Sequence, residues 1–218
     1  MSEVSKEKLD EYHRSVPPDY YDQGIKKNIF QWIWHKGRTN ILPEVLTGVG
    51  SRVLDIGCHG GYFTNEIAKR VGNGILGLDI SENAIEYARK KYPNLSFGVA
   101  DIEKKIDLEN NSFEAVTAFD VVEHIPNLKF VAREIYRVLK PGGVFVMGVP
   151  RENILFKAVW YIWTKSKGKV WHDVHVHEFS EENLKKYFEE NGFKKIFDKK
   201  IHLGMYWVIK YQKVSEHE

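Results

Sequence analysis

The stretch Val53-Leu54-Asp55-Ile56-Gly57-Cys58-His59-Gly60-Gly61-Tyr62-Phe63-Thr64 decides the fold. An apolar strand reaches an acidic residue, a tight glycine turn follows, and a helical pattern begins at once. In open α/β sheets ligands sit outside the carboxyl ends of the strands, where glycines let the backbone approach. A carboxylate at Asp55 would repel a pyrophosphate, so the turn does not suit a phosphate cradle. It suits a ligand with a cationic amino-acid end.

The downstream spacing extends this reading. After a helix over Glu66 to Val71 and the turn Gly72-Asn73-Gly74, a second strand, Ile75 to Leu78, ends at Asp79. A carboxylate at that place can accept both hydroxyls of a ribose. A third strand, Leu95 to Ala100, runs into Asp101-Ile102, an acid for an adenine amino group beside an apolar residue for its ring. The fourth, Phe113 to Phe119, leads into Asp120-Val121-Val122-Glu123-His124-Ile125-Pro126. A helix then reaches Leu139-Lys140-Pro141-Gly142-Gly143, a stop signal before a fifth strand at Val144 to Val149.

These five motifs, in this order and spacing, resemble those of the class I S-adenosylmethionine (SAM)-dependent methyltransferases, of the small-molecule type that includes the ubiquinone-biosynthesis O-methyltransferases. They span residues 51–150, with a weaker echo at Gly192-Phe193. The resemblance implies a Rossmann-like, seven-stranded mixed α/β sheet with an antiparallel last strand, flanked by helices. It also implies SAM as cofactor and S-adenosylhomocysteine as product. Asp55, Gly57 and Gly61 would hold the methionine end, Asp79 the ribose, and Asp101 with Ile102 the adenine; Cys58, His59, Tyr62, Ile80 and Phe119 would complete the cofactor site. The family usually has glycine where this chain has His59. Histidine tolerates positive φ better than most residues, so the turn is expected to survive, as a tolerated substitution or with the imidazole against the ligand.

The 218 residues suffice for one well-buried domain and are short for two. We divide them into a polar segment, 1–24, and a methyltransferase domain, 25–218. The domain comprises a helical cap (25–50), the SAM-binding core (51–150), an aromatic and basic lid insert (151–179) and a closing α/β unit (180–218). Val16-Pro17-Pro18-Asp19 breaks any early helix. Ile25 to Val49 reads as one or two helices around Pro43, and Ile154 to Ser166 as another. Ser180 caps the last helix, Phe179 and Leu184 form its staple, and Gly192 stops it. Ile196 to Ile201 and Met205 to Tyr211 supply the final strands.

A net charge of +2 calls for no nucleic-acid partner, and the single cysteine, Cys58, fits a reducing compartment. The polar start is unlike a secretory leader, and no apolar run approaches the length of a membrane span. The expected location is the cytoplasm.

Methyl transfer from an activated sulfonium needs close positioning and a deprotonated nucleophile, with a general base if that nucleophile is a hydroxyl. His124, after the fourth strand, is the candidate base; the alternative is that Glu123 and His124 cap and orient the loop. Asp120, Glu123 and His124 form the candidate catalytic group. The resembling ubiquinone-pathway enzymes have a comparable cluster associated with metal, yet oxygen-rich magnesium sites need substrate oxygens to complete them, so a divalent ion is not the favoured reading. Tyr20 or Tyr21 would close over the cofactor.

His172-Asp173-Val174-His175-Val176-His177-Glu178 places Asp173, His175 and His177 on one side of an extended chain. With no cysteine and no clear fourth ligand, zinc is disfavoured, and the segment reads as a lid over the mouth or as a plain surface loop. Phe156, Val159, Trp160 and Trp163 recur at helical spacing beside Lys157, Lys165, Lys167 and Lys169. The cap repeats this chemistry with Phe30, Trp32 and Trp34 among Lys26, Lys27, Lys36 and Arg38. Such helices suit a membrane interface or the mouth for a lipid-like acceptor, but aromatic faces are more often packed, and packing is the preferred reading.

The expected reaction is methyl transfer to oxygen, less favourably nitrogen, of a small or lipid-like acceptor. RNA or protein methylation, or SAM binding without transfer, are the alternatives. A nicotinamide site is disfavoured because His59 breaks Gly-x-Gly-x-x-Gly.

Overall fold

The computed structural model describes residues 6–151, 153–157, 161, 176–177 and 179–214. Among these, seven strands form one sheet: β1 (Val53–Ile56), β2 (Ile75–Asp79), β3 (Ser96–Val99), β4 (Phe113–Phe119), β5 (Leu139–Pro150), β6 (Phe193–Ile201) and β7 (Tyr206–Lys213). Their order is β3-β2-β1-β4-β5-β7-β6. β1 to β5 pair in parallel, and β7 runs antiparallel to both β5 and β6. The expected mixed sheet with an antiparallel last strand is therefore present.

The helices are α1 (Lys6–Ser15), α2 (Tyr20–Lys27), α3 (Ile29–Asn40), α4 (Leu42–Val45), α5 (Tyr62–Val71), α6 (Glu82–Lys91), α7 (Leu128–Val138) and α8 (Glu181–Tyr187). They cover both faces of the sheet, which is why β1 and β4 read as almost unbroken apolar runs. On one face Leu54, Ile56 and Val116 pack against Leu128, Val131 and Ile135 of α7 and Leu184 of α8. On the other, Val53, Ile75 and Val146 meet Ile41, Leu42 and Val45 beside Ile67 of α5. Each such aliphatic side chain contributes about 1.5–3 kcal/mol through burial.

Several boundaries differ from the sequence reading. The polar segment 1–24 is not featureless: it holds α1 and the first half of α2, with the break at Pro17-Pro18 where expected. β5 begins at Leu139, not Val144, because Leu139 already pairs with Phe113; the irregularity that follows lets Lys140 to Gly143 bulge, with Gly142 at φ 72°. β6 begins at Phe193 instead of Ile196, and α5 at Tyr62 instead of Glu66. Ser180 does cap α8: its Oγ accepts from the Asn183 N–H (3.3 Å), and the Asn183 Oδ1 accepts from the Ser180 N–H (2.7 Å). Most of the expected Ile154 to Ser166 helix, with Val159, Trp160 and Trp163, lies outside the described residues, as do Asp173 and His175.

The packing expected of the aromatic cap holds for Trp34 of α3, which lies against Tyr206 and the core, but not for Phe30 and Trp32. Ile29, Phe30, Trp32 and Ile33 are exposed, while His35, Arg38 and Thr39 are buried. The helix turns its polar side chains inward. Among the described residues no helix is long and apolar enough to cross a membrane.

Candidate active site

The chain passes from β1 outward to β2 and β3, then crosses back to β4 on the other side of β1. The crevice beyond the carboxyl ends of β1 and β4 is thus the switch point where open α/β sheets hold ligands. Gly57, at φ 69°, starts the turn after β1; a Cβ there would lie 2.3 Å from Cγ2 of Val121. His59 takes φ 45° and Gly61 φ 79°, so histidine occupies the left-handed position that glycine usually fills. Gly61 leads straight into α5, which has no side-chain N-cap.

Two neighbouring hollows share Gly57 and Tyr21. The larger, enclosing about 120 Å³, is lined by His59, Asp79, Ile80, Asp101 and Ile102 together with Asp120, Val121 and His124. The smaller is lined by Asp55, Cys58, Tyr62, Phe63 and Phe119. Gly61 lines neither and acts through the backbone.

Backbone groups fix the strand-end acids. Asp79 accepts from the His59 N–H through Oδ2 (2.8 Å) and from the Ser81 N–H through Oδ1 (2.9 Å). Asp55 is buried, with its oxygens accepting from Thr64 (2.7 Å) and Thr117 (2.6 Å); burial outweighs both hydroxyls and pushes its pKa up to about 6. Asp101 accepts from the Glu103 N–H and from Lys6 Nζ (3.2 Å). Burial opposes ionisation there, but these donors prevail and hold its carboxyl below the ordinary range. Cys58 is buried, and burial pushes its thiol well up, as suits a packed residue instead of a nucleophile.

The candidate catalytic group divides. Asp120 and His124 line the larger hollow; Glu123 lines neither. Glu123 is buried in the 3-10 turn Val122–His124, its carboxylate has no side-chain hydrogen-bond partner among the described residues, and burial pushes its pKa up to about 8 against nearby backbone N–H groups and the charge of Arg38. Its backbone carbonyl accepts from the Val176 and His177 N–H groups. His177 also sits 2.8 Å from the Ile125 carbonyl and against Tyr187, so it anchors its segment to this turn and does not face the hollow.

Five residues of the site escaped the sequence reading. α1, through Asp10 and His13, and Val16 just after it roof the larger hollow. The His13 ring stands 4.9 Å from that of His124, edge to face, and burial lowers its pKa. Lys6 ties the roof down through Asp101 and Glu103 (2.5 Å). Arg38, from the inner face of α3, is ion-paired with Asp120, hydrogen-bonded to His35 and stacked 4.8 Å over Phe63. For α1 the signal was Leu9, His13 and Val16, spaced four and three apart. Nothing local marked Arg38.

Tyr21 packs against both His59 (5.4 Å) and His35 (5.2 Å), and burial pushes its hydroxyl pKa up to about 12. Tyr20 touches Tyr21 but does not line either hollow.

These groups fit SAM: Asp79 and Asp101 line the larger hollow with Ile80 and Ile102, where they would take a ribose and an adenine, and Asp55 lines the smaller one, where a cationic amino group would lie. A divalent ion fits poorly, because a guanidinium already occupies Asp120 and Glu123 is turned away. No cluster of three metal-ligating side chains forms among the described residues.

The methyltransferase domain family matches residues 48–201. The chain is 30% identical to a demethylmenaquinone methyltransferase of Staphylococcus haemolyticus over 190 residues, 78% of this chain and 80% of that one. It is 40% identical to a sterol 24-C-methyltransferase of Saccharomyces cerevisiae over 104 residues, 45% of this chain but only 27% of the yeast enzyme. A ubiquinone biosynthesis O-methyltransferase of Neisseria meningitidis is 28% identical over 109 residues, 48% of this chain and 46% of that enzyme. The chain thus spans less than half the length of two of these relatives. Among solved structures, magnesium protoporphyrin IX methyltransferase from Synechocystis, with bound S-adenosylhomocysteine, has the same fold at TM-score 0.71 and 17% identity, covering 96% of this chain and all of that one. The strand order, the glycine turn and the family match agree: the chain belongs to the class I SAM-dependent methyltransferases.

Proposed function

We propose that the protein transfers a methyl group from SAM to an oxygen of a small, lipid-like acceptor. The observation that carries this is the larger hollow, where cofactor-side acids and an imidazole pair face each other across one crevice. Bound SAM supplies a methyl carbon already activated by its sulfonium. Asp79 and Asp101 orient that cofactor, and Gly57 makes the turn beside it, where a Cβ would strike Val121. His124 takes the proton from the acceptor hydroxyl. His13 packs on His124, and burial lowers its pKa, which disfavours a second positive charge in the pair. α1 and Tyr21 keep water from the crevice. Arg38 neutralises Asp120 and holds it at the crevice wall.

A second reading, transfer to carbon, is favoured by the sterol 24-C-methyltransferase relative. The test incubates the protein with methyl-labelled SAM and a cell extract split into lipid, small-molecule, RNA and protein fractions. Label in the lipid fraction supports the proposal, and carbon-13 NMR of the product separates a methoxy group from a C-methyl group. Label confined to RNA or protein overturns it, and SAM binding without any transfer favours a non-catalytic role.

A further inference from the structure

We infer that the outer face of α3, with the turn beside it, docks on an anionic lipid bilayer. Ile29 is 61% exposed, Phe30 79%, Trp32 45% and Ile33 48%. All four fall in the first two turns of one helix, whose inner side is taken by His35, Arg38 and Thr39 with Trp34 against the core. Soluble proteins seldom leave so many large apolar side chains together in water, and such patches mark interaction sites.

The patch continues onto the turn between β6 and β7. His202 stacks on Trp34 (4.6 Å) and lies 3.0 Å from its carbonyl, and a Cβ at Gly37 would meet the His202 ring at 2.2 Å. The turn is therefore seated on α3. Its next residue, Leu203, is 85% exposed although it takes the left-handed conformation at φ 56°, where leucine is strained. Beside this turn, Asn153 and Arg151 approach Gly204, and the following residue, Ile154, is 89% exposed. The patch lies at the carboxyl end of β5, the end of the sheet that carries the site.

Charge selects the occupant. Lys26, Lys27 and Lys36 are exposed on the same hairpin and pair with no acid among the described residues. Asp22 is the sole acid in residues 20–40, and it is held by Lys91 and by the Tyr87 hydroxyl. Tryptophan and bulky aliphatics rimmed by lysines match the acyl boundary and the phosphate layer of an anionic leaflet. The inference deepens the lipid-like acceptor reading and rests on it for the acceptor: Arg38, inside the same helix, borders the crevice, so a lipid-soluble acceptor would reach the site from the bilayer.

The test is sedimentation of the full chain with vesicles of phosphatidylcholine, alone or mixed with phosphatidylglycerol. Binding to the mixed vesicles is expected, weakened by salt, and reduced about tenfold or more by Phe30→Ser with Ile33→Ser and by Lys26→Glu with Lys27→Glu. Thermal midpoint and SAM affinity should not change, since these side chains are outside the core and the site. Failure of the unaltered protein to bind mixed vesicles overturns the inference, as does binding that neither double variant weakens. Self-association abolished by Phe30→Ser with Ile33→Ser, without vesicle binding, makes a second copy the cover and also overturns it. Vesicle binding without methyl transfer would sink the proposed function and leave the docking face standing.

Discussion

Exchanging Glu123 for glutamine should stabilise the protein by an amount that grows with pH. The carboxyl is buried, has no side-chain hydrogen-bond partner among the described residues, and burial carries its pKa from 4.5 to about 8 despite the opposing backbone N–H groups and the charge of Arg38. Near neutrality the folded protein therefore holds a proton on a group that the unfolded chain has lost. Stability from this group is full below about pH 4.5, falls as pH rises, and levels off once the folded carboxyl ionises near pH 8. At about 1.36 kcal/mol for each pH unit above 4.5, the cost is under about 1 kcal/mol at pH 5 and about 3 kcal/mol at pH 7. Glutamine keeps the shape, stays neutral and has no such cost. Urea unfolding of both proteins from about pH 5 to about pH 8 reads the difference. A stability gap that widens with pH is expected. A constant gap, or a variant weaker throughout, would mean that folded Glu123 is ionised against Arg38, and the reasoning would be refuted.

Three further outcomes follow from the site and its surroundings. His124→Ala should lower kcat by about 10²–10⁴ while calorimetry finds SAM affinity kept; an unchanged kcat would leave His124 as a loop-orienting residue. Asp79→Asn offers one acceptor oxygen where the carboxylate uses two, so the His59 or Ser81 N–H loses its partner; SAM affinity should drop at least about tenfold and stability by about 1–3 kcal/mol, and unchanged calorimetry would remove Asp79 from the cofactor site. Leu203→Gly relieves a left-handed leucine and should raise stability by up to about 1 kcal/mol, less the flexibility that glycine adds to the unfolded chain; a lower thermal midpoint would show that Leu203 is packed, not displayed.

The parts of this molecule that were legible in the sequence are those where local chemistry and tertiary position agree. β1, β2 and β4 hold an acid or run directly into one and Asp101 follows β3 with one residue between, so the strand-end acids were legible from spacing, while the reading of His59 rested on the family resemblance. α1 was not, because Leu9 and His13 are hidden in a charged decapeptide of which Leu9 alone is buried, with Val16 following it. α3 was misread for a different reason. Periodicity assigns the apolar face of a helix to the core, and here that face is outside. The phase is set by the site: Arg38 must turn inward to meet Asp120, and His35 lies with it. Ile29 precedes Arg38 by nine residues, about two and a half turns, which puts it on the opposite face. With Arg38 fixed inside, Ile29 and its neighbours Trp32 and Ile33 have no direction left but outward. The buried cation at the crevice and the apolar face in water are thus two consequences of one helix phase. Polar residues there would leave the inner face unchanged, so the isoleucines, phenylalanine and tryptophan of the outer face serve no packing role in this chain and are the side chains a bilayer contact would bury.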